Sequence, residues 1–254
     1  MIKVVICGAS GRMGQTLGRM VHDAPDMELV GGINLKASSF FGAEIVEAKD
    51  ADALLKKTKA DVVIDFTIAS AVVGNVQVAA RNNCALIVGT TGISPDQRAE
   101  MEKAINGHVP AVISTNFSIG MSIFQQLVRE SARLLKDYDI EVLEAHHRNK
   151  KDAPSGTAKT LIQIIEEEAG ARKKQYGREG MTERQNEIGV HVIRGGDIVG
   201  DHTVMYSKNY ETIELSHRAY DRSVFASGAI VAARWVAGKK PGIYGMSDVL
   251  GLKK

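Results

Sequence analysis

The sequence predicts an α/β protein with two sheets, the first parallel and wrapped by helices, the second mixed or antiparallel. Three observations carry that expectation. Short apolar runs alternate with helical patterns from the N-terminus to Asn116. A glycine turn joins the first apolar run to the first helical pattern. Beyond Glu187 three strand patterns follow one another with no helix between them. Strands that alternate with helices build parallel sheets, whereas consecutive strands favour antiparallel or mixed ones.

The elements read in order as follows. Ile2–Cys7 is a buried strand, and Gly11–His22 carries Met13, Leu17, Met20 and Val21 at helical spacing. Glu28–Ile33 and Asp61–Phe66 are the next strands, the latter followed by a helix through Asn82. Ala85–Val88 is a fourth strand. Ser94-Pro95 then opens a helix with an N-cap residue and a proline at the first helical position. Ala111–Ser114 is a fifth strand. Gly120–Leu135 is one long helix, with Ile123, Leu127 and Leu134 on its apolar stripe. Ile140–Ala145 is a strand, and Thr157–Ala169 is an amphipathic helix (Leu161, Ile162, Ile164, Ile165) closed by Gly170. Arg172–Glu187 is polar and charged and reads as an exposed loop. Ile188–Arg194, His202–Ser207 and Thr212–His217 are the consecutive strands; Ser223–Ala237 is a helix and Gly242–Leu252 a compact tail. The change of pattern places one domain at 1–117 and 222–254, completed by the last helix, and a second at 118–221.

Composition narrows the function classes. Hydrophobic residues at 44% and charged residues at 24% of 254 are ordinary for a soluble globular protein. A net charge of +2 is too small for a nucleic-acid surface, and 5% aromatics argues against base-stacking platforms. No apolar run approaches the ~18–20 residues a membrane helix needs. The chain starts directly in a strand, so no signal peptide is expected. Cys7 and Cys84 each lie in or beside an apolar run, which suits buried free thiols and a reducing cytoplasm.

The turn Gly8-Ala9-Ser10-Gly11-Arg12-Met13-Gly14 follows a strand and opens a helix, the context a dinucleotide fingerprint requires. Gly8 permits the tight turn, Gly11 lets backbone approach a pyrophosphate, and Gly14 lets helix and strand pack closely. The helix start adds free N–H groups and a positive dipole end. The first sheet is therefore expected to be Rossmann-like, doubly wound, with Gly8–Met13 on the cofactor. An acid at the end of the second strand would select NAD. Here stand Asn34 and Lys36, which tolerate or pair with a phosphate, so NADPH is favoured and NADH is usable. Gly89-Thr90-Thr91 and Ser114-Thr115-Asn116-Phe117 each follow a strand of the same sheet and are expected at its carboxyl edge, near the nicotinamide.

The segment Glu144-Ala-His-His-Arg-Asn-Lys-Lys-Asp-Ala-Pro-Ser-Gly-Thr157 lies between a strand and a helix. Reduction of a small anion needs a proton as well as a hydride, and His146, His147 and Lys150 are suited to deliver it. Neighbours on an extended chain face opposite sides, so His146 and His147 have different tasks. Ser155 is a natural N-cap, and Gly156 and Thr157 then offer N–H groups to an anion. No spacing here suits a metal site.

These stretches resemble the dihydrodipicolinate reductase (4-hydroxy-tetrahydrodipicolinate reductase) family. The resemblance rests on GASGRMG at 8–14, Asp65-Phe-Thr67, GTTG at 89–92, Asn116-Phe-Ser118, EAHHRNKKDAPSGTA at 144–158, RGGDIVGDHT at 194–203 and Asp248-Val-Leu250. The 144–158 stretch is the most specific. The resemblance implies hydride transfer from NADPH or NADH to a cyclic imine dicarboxylate in lysine and diaminopimelate biosynthesis, and a homotetramer formed by the second domain. It implies that His146 is a proton donor and acceptor, Lys150 a second donor, and His147, Ser155, Gly156 and Thr157 substrate contacts. The chain departs from the family where many members carry an acid or an acid–arginine pair, showing Asn34-Leu35. Another two-domain amino-acid dehydrogenase would share the glycine turn without needing the His-His-Arg-Asn-Lys stretch. A non-enzymatic NAD(P)-sensing regulator would need no proton donor.

Overall fold

A computed structural model describes residues 1–252. It divides into two compact units, one of Met1–Ile119 with the C-terminal segment from Ser223, the other Gly120–Arg222.

The first unit holds β1 (Ile2–Cys7), α1 (Arg12–Asp23), β2 (Met27–Asn34), β3 (Ser38–Phe40), β4 (Ala43–Glu47), α2 (Ala51–Thr58), β5 (Val62–Asp65), α3 (Ala69–Arg81), β6 (Ala85–Val88), α4 (Pro95–Ile105) and β7 (Pro110–Ile113). Its strands form an eight-stranded sheet in the order β13-β7-β6-β5-β1-β2-β4-β3, where β13 is Gly242–Tyr244. Every pairing is parallel except the edge pair of β3 and β4. The order reverses beside β1, which is where a doubly wound sheet opens a ligand crevice. Apolar residues cover both faces, as the near-continuous runs of β1, β5 and β6 require. Cys7 and Cys84 are buried free thiols. Burial pushes the Cys84 thiol up to about 11.

The stretch 35–60, for which the sequence predicts no element, forms a hairpin and a helix. β3 is three residues long and exposed or half-buried, so it leaves no readable alternation. In α2, Ala51, Leu54 and Leu55 are buried, a short helical spacing that could have been read. α4 begins as expected: Gln97 N–H donates to Ser94 Oγ at 3.2 Å and Ser94 N–H to Gln97 Oε1 at 3.0 Å.

The second unit follows with α5 (Ile119–Leu134), β8 (Asp139–His146), α6 (Gly156–Ala169), β9 (Lys173–Tyr176), β10 (Glu187–Arg194), β11 (Gly200–Lys208) and β12 (Glu211–Ala219). Its five strands run β12-β11-β8-β10-β9, with β8, β9 and β10 parallel and β11 antiparallel to both β8 and β12. One core packs Ile140, Val142, Ile188, Val190, Val204 and Tyr206 with α5 and α6. Two expectations are corrected. The stretch 172–187 is not all loop: β9 is a charged edge strand, a chemistry that protects an edge and hides it from periodicity. The buried stripe of α5 is Met121, Phe124, Val128 and Ala132, whereas Ile123, Leu127 and Leu134 are exposed. Both stripes have helical spacing, and only the packing of β8 and α6 chooses between them.

The chain then returns to the first unit as α7 (Ser223–Val236), β13 and α8 (Met246–Val249). α7 presents Ala226, Ala229, Ala232 and Ala233 to the first core. A Cβ at Gly228 would lie 1.7 Å from the Phe117 carbonyl oxygen, so the helix reaches that turn only because position 228 is bare. Gly74, inside α3, has open space where a Cβ would go. Gly228→Ala should therefore lose about 1–3 kcal/mol to overpacking. Gly74→Ala should gain about 1 kcal/mol of helix propensity. Urea unfolding of the two variants beside the parent chain checks both signs.

Candidate active site

The nucleotide half is built at the carboxyl edge of the eight-stranded sheet. Gly8 has φ +78°, and a Cβ at Gly14 would stand 2.1 Å from the Gly8 carbonyl oxygen, so this turn excludes side chains at both positions. Gly11 is the N-cap of α1 and supplies no side chain to its N–H groups. A cavity of about 290 Å³ opens beside the turn, walled by Gly8, Gly11, Ile33, Leu35 and Ile68, with Ser10 and Asn34 among its polar groups. Asn34 Nδ2 donates to Ser10 Oγ, which ties the end of β2 to the glycine turn. Lys36 is exposed and lies outside the lining. Ala9 is buried and Met13 packs on the core, leaving their backbone as what they can offer a ligand. A glycine cradle, a free helix start and an apolar slot with two amide and hydroxyl groups at its rim fit a dinucleotide.

Asp65, unassigned by the sequence reading, organises this edge. Its carboxylate is fully buried at the end of β5 and accepts from Thr67 N–H (3.0 Å), Thr67 Oγ1 (2.8 Å), Asn75 Nδ2 (2.7 Å) and Thr90 Oγ1 (2.6 Å). The Thr90 hydroxyl thus fastens the Gly89-Thr90-Thr91 turn; Thr91 is exposed. Gly89 is bare because the Phe66 ring lies 2.3 Å from where its Cβ would be. Ser114 Oγ donates to the Asn116 carbonyl at 2.7 Å, so it too shapes a turn, next to exposed Thr115 and buried Phe117.

The second unit holds the histidine cluster. Along β8 the core face reads Ile140, Val142, Glu144, His146, apolar for half its length and then ionisable. Glu144 is 1% exposed and His146 8%. Glu144 accepts from Arg194 Nη1 and Nη2 at 2.8 and 2.7 Å, from Ser155 N–H at 2.9 Å and shares a hydrogen with His146 Nδ1 at 2.5 Å. Ser155, also buried, caps α6 by accepting from Ala158 N–H at 3.1 Å. Its hydroxyl lies 3.3 Å from His202 Nε2, and the His202 ring stands edge-on to His146 with centroids 5.1 Å apart. Lys150 Nζ pairs with Asp152 at 3.0 Å. His147 is half-buried, Gly156 exposed and Thr157 half-buried at the first turn of α6.

Electrostatics follow from these contacts. Burial opposes ionisation of Glu144, but the Arg194 fork, the Ser155 N–H and His146 outweigh it and hold the carboxyl below its ordinary value. Burial lowers His146, Glu144 opposes that, and the charges of Lys150 and Arg194 tip it downward. Burial, with His146 nearby, pushes His202 down to about 3. The cluster therefore rests at neutral pH with an ionised carboxylate and neutral imidazoles.

The structure gathers His146, Lys150 and Ser155 in one cluster with Glu144, Arg194 and His202. Glu144 carried a readable signal, since period two places it on the buried face with Ile140 and Val142. Arg194 and His202 lay within the 194–203 stretch of the resemblance but were given no role: they reach the cluster through strand register, Arg194 opposite His146 and His202 opposite Glu144.

Family models described as dihydrodipicolinate reductase, N-terminus and C-terminus, match residues 2–117 and 120–250. The chain belongs to the dihydrodipicolinate reductase family. It is accordingly an NAD(P)H-dependent oxidoreductase. A 4-hydroxy-tetrahydrodipicolinate reductase of Methanoregula boonei is 77% identical over all of both chains. The solved dihydrodipicolinate reductase of Paenisporosarcina sp. TG-14, with dipicolinate bound, is 26% identical, with a TM-score of 0.79 over 96% of this chain and 97% of that one. A C. glutamicum DAP dehydrogenase in complex with DAP aligns over 100% and 96% with a TM-score of 0.58 at 16% identity, a likeness of fold alone. Among the described residues no helix is long and apolar enough to cross a membrane.

The lowered histidines make stability depend on pH. Above 6.5, the ordinary value, His202 is neutral folded and unfolded; between 6.5 and about 3 only the unfolded chain takes its proton. Stability is thus complete above 6.5 and is lost as pH falls through that window, by a few kcal/mol at about 1.4 kcal/mol per pH unit. Thermal unfolding between pH 7 and 4 should fall less steeply in His202→Gln than in the parent chain. Equal slopes would show that His202 titrates freely.

Proposed function

We propose that this chain reduces 4-hydroxy-tetrahydrodipicolinate (hydrated dihydrodipicolinate) to tetrahydrodipicolinate on the route to lysine and diaminopimelate. One observation supports the reading of the site: the ionisable end of β8, which carries His146, meets the start of α6, where the Ser155 N–H donates to Glu144.

A bound nicotinamide supplies a hydride. Gly8–Met13 would hold the pyrophosphate at the start of α1, and Asn34 the adenosine ribose at the rim of the cavity. Gly89–Thr91 and Ser114–Phe117 would border the nicotinamide. Asn34 carries no charge to repel a 2′-phosphate, which supports NADPH as the preferred cofactor with NADH also used. Lys36 has no seat in the cavity and would meet a phosphate only from outside it.

The substrate has two carboxylates. The first turn of α6 at Gly156 and Thr157, together with His147, would hold one of them. Hydride addition to a conjugated imine leaves negative charge that one proton must neutralise. Lys150, an ammonium held by Asp152, is one donor. His146 is the relay: neutral at rest, it takes that single proton at Nε2 from Lys150 or from water and passes it to the substrate. The same reading includes a homotetramer and a cytoplasmic setting, both drawn from the family.

The test is to supply the synthase-generated heterocycle with NADPH or NADH and follow loss of reduced-nicotinamide absorbance. Oxidation is expected with both; none with either would overturn the reading. His146→Ala and Lys150→Ala should each lower kcat by about 10²–10⁴-fold, the range of a lost general acid or base, with cofactor Kd unchanged. Parallel loss of cofactor affinity would refute those roles. Asn34→Asp places a carboxylate where a 2′-phosphate would lie, so KM for NADPH should rise while that for NADH holds. Competition of the two cofactors in one assay checks this.

A further inference from the structure

We propose that Glu144, clamped by Arg194 and the Ser155 N–H, is a positioning residue for the reduction: it fixes His146 in the Nδ1–H tautomer and so leaves Nε2 as the working atom. The inference rests on the reduction proposed above and concerns how its proton is handled.

An ionised carboxylate only accepts hydrogen bonds. Two of the four hydrogens around Glu144 come from Arg194 and one from the Ser155 backbone, so the fourth must come from the imidazole. Nδ1 therefore carries it, and a neutral ring then has its lone pair on Nε2. The clamp is what makes the choice firm. The bidentate guanidinium fixes the carboxylate plane, and both oxygens are already oriented when His146 meets one of them. The ring is seated from the other side by the edge of His202. At Nε2 the facing strand offers bare backbone: a Cβ at Gly200 would be 3.1 Å from that nitrogen.

The charged and titratable groups facing His146 are Glu144 on its own strand, Arg194 from β10, His202 from β11 and Lys150 in the loop that follows. Glu144 is the anion in that set. When Nε2 takes a proton, Glu144 is the group that stabilises the imidazolium until the proton moves to the substrate. A neutral amide in its place leaves the ring among cations and free to adopt either tautomer, with Nε2 protonated in one and unable to accept. Arg194 alone would satisfy a carboxylate of purely structural role; the bond to His146 is the one that reaches the chemistry.

Glu144→Gln tests this in the full-length protein labelled with ¹⁵N-histidine. In the parent chain at pH 7, His146 should show a protonated Nδ1 and an unprotonated Nε2. In Glu144→Gln the two tautomers should mix, and kcat should fall by about 10²-fold, the scale of an impaired general acid–base. KM for the heterocycle and Kd for the cofactor should stay near the parent values. Glu141→Gln is the control. Glu141 pairs with His191 at 2.8 Å on the opposite face of the same strand, and kcat should be unaffected. An Nε2–H tautomer in the parent chain overturns the proposal, and that spectrum is readable even if Glu144→Gln does not fold. Full-rate turnover by Glu144→Gln, or a rise in KM alone, overturns the positioning role. A parent chain that oxidises neither cofactor sinks the functional reading instead, and the spectrum still decides the tautomer.

Discussion

A buried carboxylate at the carboxyl end of a strand organises each unit, and the turns that meet ligand chemistry hang from it. In the first unit it is Asp65, in the second Glu144. An ionised oxygen without partners in such a place would cost several kcal/mol, so each has drawn in a full set of donors. The two sets differ in kind. Asp65 takes a backbone N–H, two threonine hydroxyls and an asparagine amide, all neutral. Glu144 takes a guanidinium, a backbone N–H and an imidazole. Neutral donors make Asp65 a fastener of the 65–67 and 89–91 turns. Ionisable donors give Glu144 the capacity to respond when a proton moves beside it.

The location of the histidine cluster follows from how a one-sided sheet ends. β8 and β11 bury one face against α5 and α6, and along that face Ile140, Val142, Val204 and Tyr206 form the core. α6 starts at Gly156, and the end of β8 meets its capped start rather than its apolar stripe. Polar side chains are tolerated there because they bond to that start and to each other, and Glu144, His146 and His202 occupy the position, all of them buried. The Ser155 cap then does two things with one residue. Its hydroxyl satisfies the helix, and its N–H satisfies the carboxylate, so the start of α6 and the end of β8 are fixed by the same side chain and backbone. Loss of register between β8 and β10 by one residue would remove Arg194 from this set entirely.

Most of the fold was readable because it is written in local periodicity. The parallel strands of the first sheet are apolar runs, the glycine turn names its own conformation, and Ser94-Pro95 and Ser155 announce helix starts. What escaped has a common cause. β3 and β9 are short edge strands whose exposed, polar residues carry no period-two pattern. The α5 stripe was misread because two apolar stripes share one helix and only tertiary packing selects Phe124 and Val128 over Ile123 and Leu127. At the site, His146, Lys150 and Ser155 were found because they sit within one segment. Arg194 and His202 come from strands about fifty residues further along the chain and are brought in by pairing register, which no local signal encodes.

The same cluster carries the second unit's least satisfied chemistry. Arg194 Nε and His202 Nδ1 are buried with no hydrogen-bond partner among the described residues. Each such atom costs on the order of 1–3 kcal/mol. The cost buys geometry that a relaxed arrangement would lose. Arg194 spends both terminal nitrogens on Glu144 and one of them again on the Asp152 carbonyl, which holds the 150–155 loop against the strand while Nε goes without. His202 turns Nε2 to Ser155, leaving Nδ1 bare. Proteins break their own packing rules where a site must be held rigid, and here the two violations border the one histidine whose second nitrogen must stay free.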